Sequence, residues 1–178
     1  QEAAGLRGYN YAGRGDQEDV GINDVNEQGR WDFMARDEAI LWAWVAGIID
    51  GEGCIRIKKP AGKHPGGLLL SVRMTHLETI TRLREITGVG PVIMLKRRTS
   101  NLKMVYDWTA KSQEAAAVLR CCFPVLVTKK AQAKLALQYA EIVGLQPRAG
   151  YNHSVPISFL ERRQKIREAI SRLNKNGA

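Results

Sequence analysis

The alternation of hydrophobic and polar residues predicts strands and helices in a definite order along the chain. Residues 54–59 alternate with a period of two, as a half-buried strand does. A segment rich in Gly and Pro joins them to a second predicted strand at residues 68–75. Residues 92–98 and 102–109 predict a second hairpin around a Thr-Ser-Asn turn. Hydrophobic residues at helical spacing predict helices at about residues 39–51, 77–87, 113–123, 129–143 and 156–174. The predicted order is therefore helix, hairpin, helix, hairpin and then three helices.

The first predicted helix carries a ridge of small residues and ends beside an unusual carboxylate. On a helical wheel the ridge consists of Ala43, Ala46, Gly47, Asp50 and Gly51. A ridge of this kind allows the backbone of a second helix to approach closely. Gly51 and Gly53 end the helix where its macrodipole is negative, so the carboxylate of Glu52 is unfavourable there unless a cation binds. The segment therefore predicts a helix pair and a divalent-metal site.

Residues 45–53, with the sequence Val-Ala-Gly-Ile-Ile-Asp-Gly-Glu-Gly, resemble the LAGLIDADG motif of homing endonucleases. Val45 stands where the family has leucine, and Glu52 stands where the family has its catalytic aspartate. Glutamate retains the oxygen ligands that a hard cation requires. The order of elements over residues 39–143 is also that of the family's αββαββα core. The resemblance implies an α+β fold with a four-stranded antiparallel, saddle-shaped sheet and trailing C-terminal helices. The endonuclease domain is expected at residues 39–178, after an acidic, Gly-rich extension at residues 1–38.

The motif occurs once in the chain, which bears on its assembly. In the family, two motif helices pack against each other at the centre of the active unit. With a single copy, the resemblance implies a homodimer in which the motif helix of each chain packs on its partner. Two-fold symmetry of the protein then implies a DNA target that is at least partly palindromic.

The resemblance also implies how the motif would bind metal. Glu52 corresponds to the catalytic metal ligand, and the backbone carbonyl of Gly51 to a second ligand. Asp50 is expected to cap backbone groups across the helix pair. Mg²⁺ is the expected ion; Mn²⁺ is expected to substitute for it, and Ca²⁺ to support DNA binding without cleavage.

Other positions of the family's active site have counterparts farther along the chain. Lys129 follows the Pro-containing segment at residues 123–128, where the family places a lysine that organises water or charge at the scissile phosphate. His76 follows the second strand, where the family often has a polar residue that positions water; simple solvation of a helix N-terminus is the alternative. Arg82 and Arg84 compete for the role of a basic residue on the next helix, and the sequence does not choose between them.

The distribution of charge along the chain indicates the kind of partner to expect. The chain has 27 Lys and Arg against 18 Asp and Glu, a net charge of +9. Residues 1–38 carry four Lys and Arg against nine Asp and Glu, which leaves 23 basic and nine acidic residues, a net charge of +14, for residues 39–178. A basic domain of this kind predicts a polyanionic partner, DNA or RNA. No apolar run reaches membrane-spanning length, and no secretory or transit signal opens the chain, so an intracellular protein is expected: in the cytoplasm or nucleoid, or in an organelle of a eukaryote.

The polar residues of the predicted strands form a candidate DNA-reading stripe. Every second residue of the first hairpin is apolar, and the residues between them can face a major groove. The stripe consists of Arg56, Lys58, Ser71 and Arg73. Cations near the second turn are expected to anchor phosphates rather than read bases. These residues are Lys96, Arg97, Arg98 and Lys103.

Together these features predict a site-specific double-strand DNA endonuclease of the homing type, which hydrolyses phosphodiesters at a long pseudo-palindromic target. One alternative is a non-cleaving nucleic-acid binder on the same scaffold, such as an intron-splicing maturase or a repressor. Retention of Glu52 and Lys129 argues against it, since a binder has no need of the acid. Another alternative is an unrelated basic nucleic-acid-binding protein, for which no symmetric target and no metal dependence are expected.

Overall fold

The computed structural model describes residues 27–59, 66–95, 103–144 and 156–175, with side chains described from residue 36 onward. In these ranges the chain forms five helices and four strands. In chain order they are α1 (Glu27–Glu52), β1 (Gly53–Ile57), β2 (Leu68–Met74), α2 (Leu77–Thr87), β3 (Val92–Leu95), β4 (Val105–Lys111), α3 (Ser112–Cys122), α4 (Lys130–Gly144) and α5 (Ile157–Lys175). The predicted order of elements is confirmed.

The four strands form one antiparallel sheet in the order β1-β2-β4-β3. Ile55 pairs with Leu70, and Leu70 in turn pairs with Ala110, so the same face of three strands carries apolar side chains. Trp108 lies on that face as well and is completely buried; its Nε1 donates to the carbonyl oxygen of Val89 at 2.8 Å. The helices cover this face, and the opposite face of the sheet, called here the outward face, carries the alternate residues. The predicted α+β fold with a four-stranded antiparallel sheet is confirmed.

Helix α1 packs on the inner face of the sheet through residues at helical spacing. Val45, Ala46 and Ile49 are at most 1% exposed and belong to the core. Ala46, which the sequence assigns to the helix-packing ridge, is therefore buried within its own chain: at about 100° per residue it lies about 60° from Ile49 on the helical wheel, in the sector that faces the core. Its place in a dimer interface stays a prediction. Ala43, Gly47 and Gly51 from the same predicted ridge are exposed, and Asp50 is half-buried.

Helix α1 also begins earlier than the sequence predicts. It starts at Glu27 rather than near residue 39, so the boundary drawn at residue 38 falls within a helix. Residues 27–38 lack the apolar periodicity that marks a packed helix, which is why the sequence pattern does not reveal this part. The rest of the acidic extension, residues 1–26, lies outside the described residues.

The change from α1 to β1 takes place without a linker and depends on one glycine. A Cβ atom at Gly53 would lie 2.5 Å from the carbonyl oxygen of Ile49 in the last turn of α1, which is too close for any other residue. Gly53 therefore allows the strand to begin directly where the helix ends. This short connection holds Glu52 at the edge of the sheet, next to the outward face.

Helix α5 covers the open edge of the sheet at β1. Nδ2 of Asn174 donates to the carbonyl oxygen of Ile55 at 2.9 Å, and Ile170 is buried against the core. The guanidinium of Arg163 lies 5.8 Å from the ring centre of Tyr139 on α4, which ties α5 to its neighbouring helix. An edge strand covered in this way cannot pair with another chain. Among the described residues, no helix is both long and apolar enough to cross a membrane.

Candidate functional site

Asp50 connects the end of α1 to the segment that begins α4. Its Oδ2 accepts from the backbone N–H of Val127 at 2.7 Å, and its Oδ1 accepts from that of Lys129 at 2.9 Å. Oγ1 of Thr128 lies 3.0 Å from Oδ1 and 3.1 Å from the carbonyl oxygen of Asp50, so the hydroxyl donates to one of these atoms. Asp50 thus caps backbone groups of its own chain, and capping across a helix pair stays a prediction. We call residues 50 and 127–129 the Asp50 clamp.

The hydrogen bonds of the clamp determine the ionisation of Asp50. Partial burial by itself would raise the pKa of the carboxyl group. The backbone N–H groups of Val127 and Lys129 and the hydroxyl of Thr128 outweigh this effect and hold the pKa below its ordinary value. The carboxylate also lies at the N-terminus of α4, where the helix dipole favours a negative charge. Asp50 is therefore a structural anion at neutral pH.

We expect Asp50→Asn to lower the free energy of unfolding at pH 7 by about 1–2 kcal/mol, because an amide N–H would face a backbone N–H and water reaches the group. The folded-state pKa of Asp50 is lowered, so its stabilisation is present above the ordinary value of about 3.9 and is lost as pH falls through the folded-state pKa. The difference between wild type and variant should therefore shrink below about pH 4. Urea unfolding at pH 7 and pH 3 measures it, with Asp37→Asn, an exposed change on the same helix, as the control. Parallel pH dependence in all three proteins would contradict the clamp.

The clamp brings Lys129 next to the last turn of the motif helix. Nζ of Lys129 donates to the carbonyl oxygen of Asp50, two residues before Glu52. A cation at this end of a helix is favourable because the terminal carbonyls have no helical partners. Two of the three residues that the sequence assigned to catalysis, Glu52 and Lys129, thus come from distant parts of the chain to one end of α1.

Glu52 has the properties expected of a metal ligand. Its side chain is exposed, and within the described residues it forms no hydrogen bond or ion pair. The carbonyl of Gly51 is one of the last four of the helix, which lack an intrahelical donor. The described ranges contain no group of three or more His, Cys, Asp or Glu that could hold a metal ion. The donor set of one chain fits a hard cation in type but is too small for the six or more oxygens it takes.

His76 serves as the N-cap of α2. Its Nδ1 accepts from the backbone N–H of Thr79 at 3.3 Å and lies 2.8 Å from Oγ1 of the same residue. Its Nε2 lies 3.7 Å from a carboxylate oxygen of Glu78. The helix-terminal alternative considered for His76 is therefore realised, and its role at a scissile phosphate stays a prediction. Arg82 and Arg84 are both exposed on α2, which does not distinguish them.

The outward face of the sheet carries three of the four residues of the predicted DNA-reading stripe in exposed positions. Arg56, Lys58 and Arg73 are exposed, and so is Lys103 before β4. Ser71 lies on the same face but is only 4% exposed. Its short side chain stands on a central strand between Cys54 and Thr109 in the register, which accounts for its burial, and its role in reading bases stays a prediction. Lys96, Arg97 and Arg98 lie outside the described residues.

Arg73 is held by an acidic neighbour across the sheet. It pairs with Asp107 in the register of β2 and β4, and Nη2 of the arginine lies 3.1 Å from Oδ2 of the aspartate. The arginine side chain is 55% exposed and the aspartate side chain 13% exposed. The hydrogen bond and the negative charge of Asp107 raise the pKa of Arg73. The guanidinium therefore has a fixed direction and keeps N–H donors free to face a base edge.

Two residues of this site were missed at the level of sequence. Asp107 could have been found from the alternation in β4, because Asp107, Thr109 and Lys111 are the polar positions of that strand. Thr128 gives a weaker signal, a hydroxyl residue just before a helix, which indicates a cap but not its partner. The acceptor of its hydrogen bond, Asp50, is 78 residues away in the chain.

Solved structures of known proteins show what this arrangement is similar to. The homing endonuclease I-CvuI in complex with its target in the presence of calcium superposes with a TM-score of 0.53 and 21% identity, over 78% of this chain and 98% of that chain. The archaeal intron-encoded homing endonuclease I-Vdi141I complexed with DNA gives a TM-score of 0.61 and 15% identity, over 76% and 85% of the two chains. The chain has the LAGLIDADG homing endonuclease fold.

The LAGLIDADG fold is also found in longer chains. I-GzeII in complex with its DNA target matches with a TM-score of 0.56 and 17% identity, over 71% of this chain but only 43% of that chain. The chain therefore corresponds to nearly the whole of I-CvuI and to less than half of I-GzeII. No protein-family model and no curated protein sequence matches it. The resemblance of residues 45–53 to the LAGLIDADG motif thus agrees with the three-dimensional fold.

Proposed function

We propose that this protein is a homodimeric, site-specific endonuclease that hydrolyses both strands of a DNA target with a divalent metal ion, in the manner of a homing endonuclease. The observation that carries the proposal is the placement of Glu52 and Lys129 together at the end of the motif helix by the Asp50 clamp. A scaffold alone would not support an activity, because one fold serves many functions. Glu52 is exposed, has no partner among the described residues and lies two residues after the carbonyl that Lys129 contacts; a purely structural helix end does not need such a carboxylate.

The surface of α1 supports a homodimer. Ile40, Ala43, Gly47 and Gly51 are exposed and recur every three or four residues along the helix. Apart from the neighbouring backbone of α1 itself, no atom of the described residues lies within 4 Å of the place where a Cβ of Gly47 or Gly51 would be. Glycine inside a helix costs about 1 kcal/mol relative to alanine, and no contact among the described residues requires it at these positions. A second α1 packed closely on this stripe accounts for both glycines.

The homodimer would also complete the metal site. Glu52 and the carbonyl of Gly51 from each chain would meet at the two-fold axis and together provide the oxygen donors that one chain lacks. Bound Mg²⁺ would supply an activated water and would stabilise the leaving oxygen. Lys129 would hold a positive charge beside the scissile phosphate, and Glu52 would fix the geometry of the site. Mn²⁺ should substitute, and Ca²⁺ should support binding alone.

The outward face of the sheet would bind the DNA. Arg73, Arg56 and Lys58 would read base edges in a major groove, whereas Lys103, which precedes β4, would contact phosphates. Binding through many phosphates should weaken steeply with salt, with a log–log slope of about −0.9 for each phosphate neutralised. Such an enzyme would act where the DNA is, in the cytoplasm or nucleoid, or in an organelle.

The test is a selection from a randomised DNA library. Duplexes retained by the protein in Ca²⁺ are sequenced and then incubated with the protein in Mg²⁺. We expect a partly palindromic site that is retained in Ca²⁺ and cut on both strands in Mg²⁺. Retention of the same site without cutting under any metal would favour the maturase or repressor alternative. Retention without any sequence preference would favour an unrelated basic nucleic-acid-binding protein.

A further inference from the structure

A cleft of about 470 Å³ lies between α5 and the edge strand β1, outside the site described above. Four cations contribute to its walls: Arg56 and Lys59 from β1 and the residues after it, and Arg167 and Lys175 from α5. Ser171 and Asn174 add polar groups from the same face of α5. The cleft thus combines basic residues from two elements that are far apart in the chain.

Among the described residues, carboxylates offset only a small part of the positive charge of the cleft. None of the four cations forms an ion pair with a carboxylate of these residues. Of the described wall residues, only Glu168 is acidic, and its Oε1 accepts from Nε2 of Gln164 at 2.7 Å. Four like charges around one cleft repel one another, and this arrangement is favourable when an anion binds between them.

The position of the cleft relative to the sheet is fixed. The hydrogen bond from Asn174 to the carbonyl oxygen of Ile55 joins the end of α5 to β1, and the buried side chains of Ile57 and Ile170 pack below. Arg56 belongs both to the cleft and to the outward face of the sheet, so the cleft opens beside the proposed DNA-binding surface. A duplex on the outward face would have its backbone next to these cations.

We infer that this cleft binds phosphate groups of the DNA backbone that flank the base pairs read by the outward face; the inference rests on the proposed function. Arg and Lys side chains commonly bind phosphate, and the wall residues that the structure describes include no aromatic ring on which a base could stack. The cleft extends the footprint of the protein on DNA and adds affinity without base preference. Helix α5 is thereby a DNA-contacting element as well as the cover of an edge strand.

The test compares two double variants of α5 with equal changes in charge. Arg167→Gln with Lys175→Gln removes two cations of the cleft. Arg162→Gln with Lys165→Gln removes two cations from another face of the helix, beside Gln138 and Glu141 of α4. Affinity for the selected duplex is measured in Ca²⁺ over a range of KCl concentrations. We expect the log–log slope of the cleft variant to be shallower by about 1.8 per subunit, two phosphates at about 0.9 each, and the slope of the control variant to be unchanged.

A second measurement uses a duplex trimmed at both ends. It distinguishes contacts between the cleft and the flanking phosphates from a general effect of the protein's charge on DNA affinity. Trimming should lower the affinity of wild type more than that of the cleft variant, because the variant has already lost two of the four cations that contact the flanking phosphates. Equal slopes for all three proteins, or equal losses in both double variants, would overturn the inference while leaving a sequence-selective wild type as proposed. A slope change seen on an RNA duplex and not on DNA would also overturn it. Failure of wild type to select any DNA sequence would instead overturn the proposed function.

Discussion

Replacement of Glu52 by glutamine is expected to lower the rate of DNA cleavage by at least about 10³-fold, which corresponds to about 4 kcal/mol of activation free energy. Glutamine keeps the size of the side chain but loses the charge with which the carboxylate binds a hard cation. DNA affinity in Ca²⁺ should change much less, because most of it comes from phosphate contacts made elsewhere on the protein. The measurement is single-turnover cleavage of the selected target in Mg²⁺, together with equilibrium binding in Ca²⁺.

The matched control for this variant is Glu141→Gln, the same change at an exposed glutamate on α4. It should cleave at the rate of wild type. Since Glu52 makes no hydrogen bond or ion pair within the described residues, thermal unfolding of both variants should match wild type. Cleavage by Glu52→Gln at a rate near that of wild type would remove Glu52 from the metal site. An equal loss of binding and cleavage would place Glu52 in DNA recognition and not in catalysis.

Replacement of Gly47 by leucine is expected to have opposite effects on folding and on assembly. In the single chain there is open space around a Cβ at this position, and leucine favours a helix over glycine by roughly 0.5–1 kcal/mol. The chain should therefore fold at least as stably as wild type. In the proposed dimer two leucines would be forced into one close helix contact, and overpacking of this kind costs about 1–3 kcal/mol for each side chain. We expect dimerisation to weaken by at least about 30-fold, the equivalent of about 2 kcal/mol for the two leucines together.

Sedimentation velocity over a range of protein concentrations measures the association, and circular dichroism measures folding. Ala117→Leu, at an exposed position of α3, is the control for adding a large apolar side chain to a helix surface. It should leave the sedimentation coefficient unchanged. A dimer that persists in Gly47→Leu would show that α1 is not the interface. Loss of folding in Gly47→Leu would contradict the open surroundings of Gly47.

The type and order of the elements follow from the sequence because they depend on local patterns. Alternation with a period of two marks β1 and β2, and helical spacing marks α2 to α5 within a few residues of their observed ends. The end of α1 was also predictable, since Gly53 permits a backbone approach that no other residue can make. The start of α1 was not, because residues 27–38 carry no apolar periodicity.

Sequence periodicity predicts which segments are helices and strands more accurately than it predicts which of their side chains are buried. Ala43 and Ala46 are equivalent as small residues in the motif helix, yet one is exposed and the other is in the core. Ser71 and Arg73 alternate in the same strand, but only the longer side chain reaches solvent from the centre of the sheet. These differences in burial depend on which side chains pack against each residue, and those side chains come from other segments of the chain.

The sequence by itself determined the order of the elements and the residue types of the site. These are the carboxylate at the end of the motif helix and the lysine after the Pro-containing segment. What only the tertiary structure decided was their partners. Asp50 bonds to backbone groups 77 and 79 residues away, and Arg73 pairs with an aspartate 34 residues away. Such pairings depend on the strand order β1-β2-β4-β3 and on how α1 and α4 pack. Local propensity contains no information about contacts between segments so distant in the chain, because these form only when the whole core is buried.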